Sequence, residues 1–572
     1  MTDTQATEVA ALADELVQIA LDQQPVGASL LGIRDREDRL PDYTEAAEET
    51  LRARVAAIAA RADQIDPSTL DHNDRLTRSV VLQGADAFLD SLATRDTEYT
   101  ITDSMFAPAI GLLNMLPMVS ITEAAHADGY LTRLRGLPEV LDALAERHRA
   151  GVAAGRTPVR PLVDATVAHL DRYLADAAAD PAADPAADPL RRPQPPTDSG
   201  VDAVRFEAER ERLLAEVVRP AYGRYRDVLA TEVAPQGRPE DRPGLCWLPD
   251  GESFYAGMVR VHTTTSDRTP EGLHQTGLEI IEGLRREYAE VGARVFGTSD
   301  VAEIFDRLRT DPAMRWRDGE ELLDAARTAI TRAEKAAPQW FGVLPSQSCT
   351  VQPVPDTEAP GAPAAYYLPP ALDGSRPGIY FANTYKAEER DRHVAEAVAF
   401  HEAVPGHHFQ LTRAQELTDL PLLRRLSPFT AYSEGWGLYA ERLADEMGLY
   451  SGDVARLGML AEDSVRAARL VVDTGLHAKG WSRAQVVDFL RANTTMSEVE
   501  IRTETDRYIS APGQALAYMT GRLEIQRIRA EAEAALGDRF DIRAFHDAVL
   551  GSGALPLTVL DEVVRDWAAA QP

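Results

Sequence analysis

Apolar residues recur every three or four positions along most of the chain, which is the period of an amphipathic helix. One helix start is marked by Thr269, a capping residue that precedes Pro270 and Glu271. The pattern therefore predicts a mainly α-helical fold. The helical spacing is clearest in six segments: 9–21, 75–93, 203–231, 319–336, 456–478 and 514–536.

Strand signals are few, and the best lies in residues 364–384, AAYYLPPALDGSRPGIYFANT. Two pieces rich in aromatic and β-branched residues are joined there through Asp373-Gly374, which is typical of a hairpin. The prolines of this stretch favour an edge hairpin over a central strand. We expect a small β hairpin or sheet near the active site, either offering its edge to an extended peptide or acting only as a stabilising flap.

One low-complexity segment, LADAAADPAADPAADPLRRPQPPTDSG, repeats Ala-Ala-Asp-Pro and then becomes rich in proline. Such a composition predicts an exposed linker or long loop. We therefore predict a helical N-terminal region over 1–175, an Ala/Asp/Pro-rich linker or loop over 176–200, and a catalytic helical region over 201–572.

Composition narrows the classes of function. The chain has 572 residues, 44% of them apolar, and a formal net charge of −31. That charge argues against binding to nucleic acid or to anionic membranes. The N-terminus lacks the features of a signal peptide, so we expect a cytoplasmic protein. With only two cysteines, a metal site must use histidine and carboxylate ligands. The oligomeric state stays open.

Residues 388–400 are predicted to form a helix that becomes apolar towards His401. The sequence FHEAVPGHHFQ at 400–410 carries the strongest chemical signal. His401-Glu402 starts like the HExxH motif, in which histidines at i and i+4 converge on zinc. Pro405 occupies the position of the second histidine, and His407 and His408 follow it. The cluster is either a variant metal site or the end of a helix with capping imidazoles.

The spacing favours His407 as the second ligand, provided that the chain bulges. In an ideal helix His408 faces the same way as His401 but lies roughly 10 Å further along the axis. A bulge over 404–406 that absorbs two residues brings His407 to the expected position. We predict His401 and His407 as ligands, with His408 as the alternative.

A third ligand is expected from residues 427–448, SPFTAYSEGWGLYAERLADEMG. Glu434 follows His407 by 27 residues on a second predicted helix, and Glu441 lies two turns further on, where it can support a ligand. Two histidines and one glutamate leave a coordination position open for water, as in catalytic zinc sites. We therefore predict one Zn²⁺ ion, with Glu402 as the general base.

Five ordered motifs resemble the bacterial family labelled domain of unknown function 885, over nearly the whole chain: HEAVPGHHFQ, AYSEGWGLYAE, VVDTGLHAKGW, RYISAPGQALAYMTG and FDIRAFHDAVLGSGALPLTVL. That family is similar to the helical gluzincin-type zinc peptidases, which include thimet and neurolysin oligopeptidases, angiotensin-converting enzyme and thermostable carboxypeptidases. The resemblance implies a large multi-helix, neurolysin-like architecture.

The resemblance also implies roles for individual residues. Matching the Gly-His of the plain HExGH motif to Gly406-His407 puts the second ligand on His407, although this chain has two extra residues. Dipeptidyl peptidase III, with one extra residue, is a working peptidase.

The similar enzymes stabilise the oxyanion with tyrosines and histidines from C-terminal segments, which makes Tyr508, Tyr518 and His477 candidates. Arg507 and Asn383 are candidate substrate contacts, and Arg507 could hold a substrate carboxylate.

Together these features predict a zinc-dependent metallopeptidase that hydrolyses short peptides. Two alternatives stay open. One is a zinc hydrolase of a non-peptide amide or acylated amino acid, which would use the same activated water. The other is a non-catalytic metal- or peptide-binding protein. The intact Glu402 argues against this alternative, because such a protein needs no general base.

Overall fold

The structure, a computed structural model, describes residues 2–177, 188–197, 199–355, 359, 362–372, 374, 376–426 and 429–571. Within these ranges the chain forms 23 α-helices and one three-stranded sheet, which confirms the predicted mainly α fold. Helices α1 to α23 are, in chain order, Thr2–Gln23, Pro25–Leu30, Glu45–Asp63, His72–Ala93, Pro108–Met115, Ala124–Ala153, Arg160–Ala177, Ala203–Leu213, Arg219–Val228, Gly251–Thr263, Pro270–Phe296, Val301–Thr310, Gly319–Ala336, Ala395–Glu402, His407–Glu416, Leu422–Leu426, Thr430–Glu446, Asp453–His477, Arg483–Asn493, Glu498–Ser510, Ala517–Leu536, Ile542–Leu550 and Leu557–Ala569.

The helical periodicity located its segments well. Five of the six predicted segments lie mainly within α1, α4, α13, α18 and α21, and 203–231 forms α8 and α9 joined by a π-helical turn. The Thr269 side chain accepts a hydrogen bond from the Gly272 N–H, as expected of a cap. The expected helix over 388–400 was wrong in its first half, because the Arg392 N–H donates to the Met314 carbonyl and holds that segment outside a helix.

The sheet contains the predicted hairpin and one strand that the pattern did not indicate. β1 is Thr350–Pro353, β2 is Ala365–Leu368 and β3 is Ile379–Ala382. β2 and β3 pair antiparallel, and β1 adds to the other side of β3 in parallel. β3 is therefore central, which corrects the expectation of an edge hairpin. Asp373 of the predicted turn lies outside the described residues.

Two large hydrophobic clusters form most of the core of the described residues. The larger one joins α1, α3 and α4 to the helices of the C-terminal region, and the smaller one is built mainly from residues 101–234. Residues 178–187 of the predicted linker lie outside the described ranges, and the division at 176–200 stays a prediction. None of the helices in the described part of the chain is long and apolar enough to cross a membrane.

Helices α14, α17 and α18 contact one another inside the larger cluster. Helix α17 also crosses α21 at very short range, where Gly435 faces Gly521. A Cβ atom on Gly521 would lie 1.9 Å from the Ala431 carbonyl oxygen, so the crossing requires glycine. This packing fixes the position of Glu434, which precedes Gly435.

Candidate metal centre

The helix that carries His401 and Glu402 stops immediately after them. Helix α14 ends at Glu402, α15 begins at His407, and the Val404–Pro405 peptide bond between them is cis. The Phe409 N–H donates to the Ala403 carbonyl over 3.3 Å, six residues back instead of the usual four. The chain thus absorbs two extra residues, as predicted, but through a break between two helices.

The turn is fixed by one contact from a distant helix and by close packing at Gly406. The Trp436 indole N–H donates to the Pro405 carbonyl over 2.8 Å, and the Trp436 side chain is fully buried. A Cβ atom on Gly406 would lie 1.8 Å from the His401 carbonyl oxygen. The turn therefore excludes any larger residue at position 406 and is held by a helix distant in sequence.

The break brings His401, Glu402 and His407 together in a group that could hold a metal ion. One ligand atom from each residue lies within 4.8 Å of the others. Glu434 Oε2 lies 3.4 Å from His401 Nε2 and 3.3 Å from His407 Nε2. Two donor atoms bound to one tetrahedral zinc ion at 2.0–2.1 Å are roughly 3.3 Å apart. The spacing and the donor types therefore fit zinc.

His401 is held between two carboxylates. Its Nδ1–H donates to Glu441 Oε1 over 2.7 Å, and its Nε2 faces Glu434. Burial alone lowers the pKa of His401, but the hydrogen bonds to Glu434 and Glu441 outweigh burial and raise the pKa to about 10. Metal binding at His401 Nε2 therefore competes with protonation of the ring.

The same pairing acts on Glu434. Burial favours the neutral carboxyl, yet the charges of His407 and His401 and their hydrogen bonds hold the pKa of Glu434 well below its usual range. Glu434 is therefore an anion facing both imidazoles, and its side chain keeps 22% of its surface exposed. A carboxylate in this state can bind a cation without first losing a proton.

His408 is turned away from the group and is engaged elsewhere. The Tyr367 hydroxyl donates to Nδ1 over 2.8 Å, and Nε2–H donates to the Gln347 carbonyl over 2.9 Å. His407 Nδ1, in contrast, is buried without a hydrogen-bond partner in the described part of the chain. The geometry favours His407 over the alternative ligand His408.

The candidate oxyanion donors differ in their surroundings. The Tyr508 hydroxyl is bound on both sides, since it donates to Glu504 over 2.6 Å and accepts from Arg469 Nε over 3.0 Å. Among the described residues, the Tyr518 hydroxyl accepts one long hydrogen bond of 3.4 Å, from Arg507. Tyr518 also lies one helical turn before Gly521 at the α17–α21 crossing. Its hydroxyl is the less engaged of the two.

Two other candidates have contacts of a structural kind. His477 accepts from the Leu245 N–H at Nδ1 and faces the Tyr508 carbonyl at Nε2, and burial lowers its pKa to about 4. Asn383 is fully buried and donates to the Ala359, Ala362 and Pro363 carbonyls. Both side chains therefore tie backbone segments together, and neither contacts the His401–His407 group through these bonds.

Several important neighbours carried no recognisable sequence signal. Trp436 and Tyr367 reach the motif through long-range contacts that spacing along the chain does not encode. Glu441 was the exception, because its position two turns after Glu434 placed it on the same helix face.

We expect Glu441→Gln to weaken zinc binding by about 10–100-fold, because the anionic partner of a ligand histidine orients it and raises its basicity. Titration against a competing chelator measures the affinity. Glu446→Gln is the matched control, since Glu446 is on the same helix but pairs with Arg529. Equal affinity in wild type and Glu441→Gln would contradict a supporting role for Glu441.

One family model matches residues 25–564, and its description reads "Bacterial protein of unknown function (DUF885)". A solved structure of a "putative lipoprotein" from Colwellia psychrerythraea is 27% identical, covers 99% of both chains and superposes with a TM-score of 0.88. A "putative lipoprotein of unknown function" from Shewanella oneidensis is 18% identical, covers 97% of this chain and 99% of its own, and has a TM-score of 0.75. No curated protein matches the chain.

Proposed function

The chain belongs to the DUF885 family, whose description gives no function, and we propose that it is a zinc-dependent peptidase that hydrolyses short peptides. The observation that carries the proposal is the position of Glu434 Oε2, 3.4 and 3.3 Å from the Nε2 atoms of His401 and His407. These three residues would hold the ion, and Glu402 lies beside them.

The chemistry divides between the ion and the side chains. A zinc ion held there supplies a Lewis acid that polarises a water molecule and the substrate carbonyl. Glu402 accepts a proton from the attacking water and passes it to the leaving nitrogen as the amide C–N bond breaks. Glu441 orients His401, and Tyr518 is the proposed donor to the oxyanion. The products are a carboxylic acid and an amine.

The small sheet supports a peptide as substrate. Helix α14 contacts β2, which is an edge strand of the sheet. An extended peptide can pair with such an edge, so its amide would lie along α14 near Glu402. A non-peptide amide or an acylated amino acid is the second candidate, and a non-catalytic metal- or peptide-binding protein is the third.

The place of action stays a proposal as well. The cytoplasmic location expected from the sequence is one proposal. The two structural neighbours named as lipoproteins make association with the cell envelope the alternative. Neither nucleic acid nor a membrane surface is proposed as a partner, because the net charge of −31 opposes both.

A library of short peptides tests the proposal, with cleavage followed by mass spectrometry. We expect the zinc-loaded protein to cleave members of the library, the chelator-treated protein to lose at least about 100-fold in rate, and added zinc to restore it. If the protein binds stoichiometric zinc but cleaves no amide, the proposed peptidase activity is refuted and the non-catalytic metal-binding alternative is left.

A further inference from the structure

Three arginines lie close together beside the metal-binding helices, and we name them the arginine cluster: Arg466, Arg469 and Arg507. Arg466 and Arg469 are on α18, and Arg507 is on α20. The chain carries 91 acidic and 60 basic residues, so a local excess of guanidinium groups in its interior needs an explanation.

Arg469 has an unused donor. Its Nε donates to the Tyr508 hydroxyl over 3.0 Å, and its Nη2 donates to Glu504 Oε2 over 3.0 Å. Its Nη1 is buried without a hydrogen-bond partner among the described residues, and the side chain is only 8% exposed. An unsatisfied N–H of a buried cation is costly, so an absent acceptor is the simplest explanation.

Two arginines of the cluster share one carboxylate. Glu504 Oε1 lies 3.1 Å from Arg507 Nη1, and Glu504 Oε2 lies 3.0 Å from Arg469 Nη2, while Arg466 pairs with Glu462. An arginine fork is well shaped to receive a further carboxylate, so Arg469 and Arg507 can hold a second anion beside Glu504.

Tyr518 packs against the cluster from α21, one helical turn before Gly521 at the crossing with α17. Its ring lies 4.5 Å from the Arg469 guanidinium carbon and 5.9 Å from that of Arg466. Burial lowers the pKa of Arg466, and the charges of Glu441 and Glu434 act in the opposite direction. Glu434 and Arg507 keep similar exposed fractions of their side chains, 22% and 20%. Helix α18, which carries Arg466 and Arg469, packs against the metal-binding helices α14 and α17, and Glu434 and Arg507 are each partly exposed.

We propose that the arginine cluster binds the free carboxylate of a substrate whose scissile amide lies at His401, His407 and Glu434. The substrates are then short peptides cut close to a free C-terminus, or N-acyl amino acids, and not the interior of a long chain. This inference rests on the proposed hydrolysis and names its substrate class. Arg469 Nη1 supplies the free donor, and Arg507 supplies a cation at the solvent side.

Matched substrates test the inference: one series of short peptides is prepared with a free C-terminal carboxylate and again as the C-terminal amide. For the zinc-loaded wild type, kcat/KM is expected to be at least about 100-fold higher for the acids. Arg507→Gln should reduce that preference by about 10-fold or more without lowering turnover of the amides equally. Arg469→Lys, which keeps the charge but loses the fork, should reduce the preference as well.

Arg529→Gln is the matched control, because Arg529 is also a mostly buried, ion-paired arginine and pairs with Glu446 and Glu533. Arg529→Gln should leave the ratio of kcat/KM for the acid substrates to kcat/KM for the amide substrates unchanged. Equal cleavage of acids and amides by wild type would overturn this inference alone. Cleavage of no member would overturn the proposed function and the inference with it. An N-acyl amino acid series run in parallel distinguishes the two sources of the carboxylate.

Discussion

Glu402→Gln is expected to lower kcat for peptide hydrolysis by about 10²–10⁴-fold while the protein keeps its zinc. Glutamine has nearly the same shape as glutamate but cannot accept the proton of the attacking water. Glu402 has a ligand atom within 4.8 Å of those of His401 and His407, so it is near enough to act on a water molecule between them.

Two measurements on the same sample separate loss of the base from loss of the ion: elemental analysis and steady-state kinetics. Glu396→Gln is the control, because Glu396 lies on the same helix and pairs with Arg332. A Glu402→Gln variant that retains both zinc and wild-type kcat would contradict the role of Glu402 as general base.

His407→Gln is expected to weaken zinc binding by about 10²–10³-fold, whereas His408→Gln should keep stoichiometric zinc. The two residues are adjacent in sequence, but His407 Nε2 faces Glu434 and His408 donates to the Gln347 carbonyl. Structural zinc sites bind with about 10–16 kcal/mol shared over four ligands, so one ligand accounts for about two to three powers of ten.

The pair of variants also separates a ligand from a structural residue. His408→Gln should lower the free energy of unfolding by about 1–3 kcal/mol, because its bonds to Tyr367 and Gln347 are broken. Chelator titration and denaturant unfolding measure the two effects. Loss of zinc in His408→Gln with full retention in His407→Gln would reverse the assignment.

The helices and the start of the metal motif were predictable, because both depend on residues that are close together in the sequence. The period of apolar residues predicted 319–336, which is helix α13, and His401-Glu402 marked the motif. The two-residue surplus at Val404–Gly406 also had a local signature, since proline and glycine interrupt a helix. The spacing of the residues did not predict that the interruption is a complete break between helices α14 and α15.

Features that depend on distant segments escaped prediction. Strand β1 has only four residues and is recognisable by its pairing with β3. Arg392 lies outside a helix because its N–H donates to the Met314 carbonyl. The unused donor of Arg469 is likewise visible only once α18, α20 and α21 are assembled. Sequence patterns report on one element at a time, while these features arise between elements.

The location of the metal ion itself is measured by anomalous diffraction from crystals of the zinc-loaded protein. We predict a single strong peak within about 2.0–2.2 Å of His401 Nε2, His407 Nε2 and a Glu434 carboxylate oxygen. Glu402 should lie beside the ion without coordinating it. A peak on His408 with His407 turned away, or no peak near these residues, would contradict the proposed metal centre.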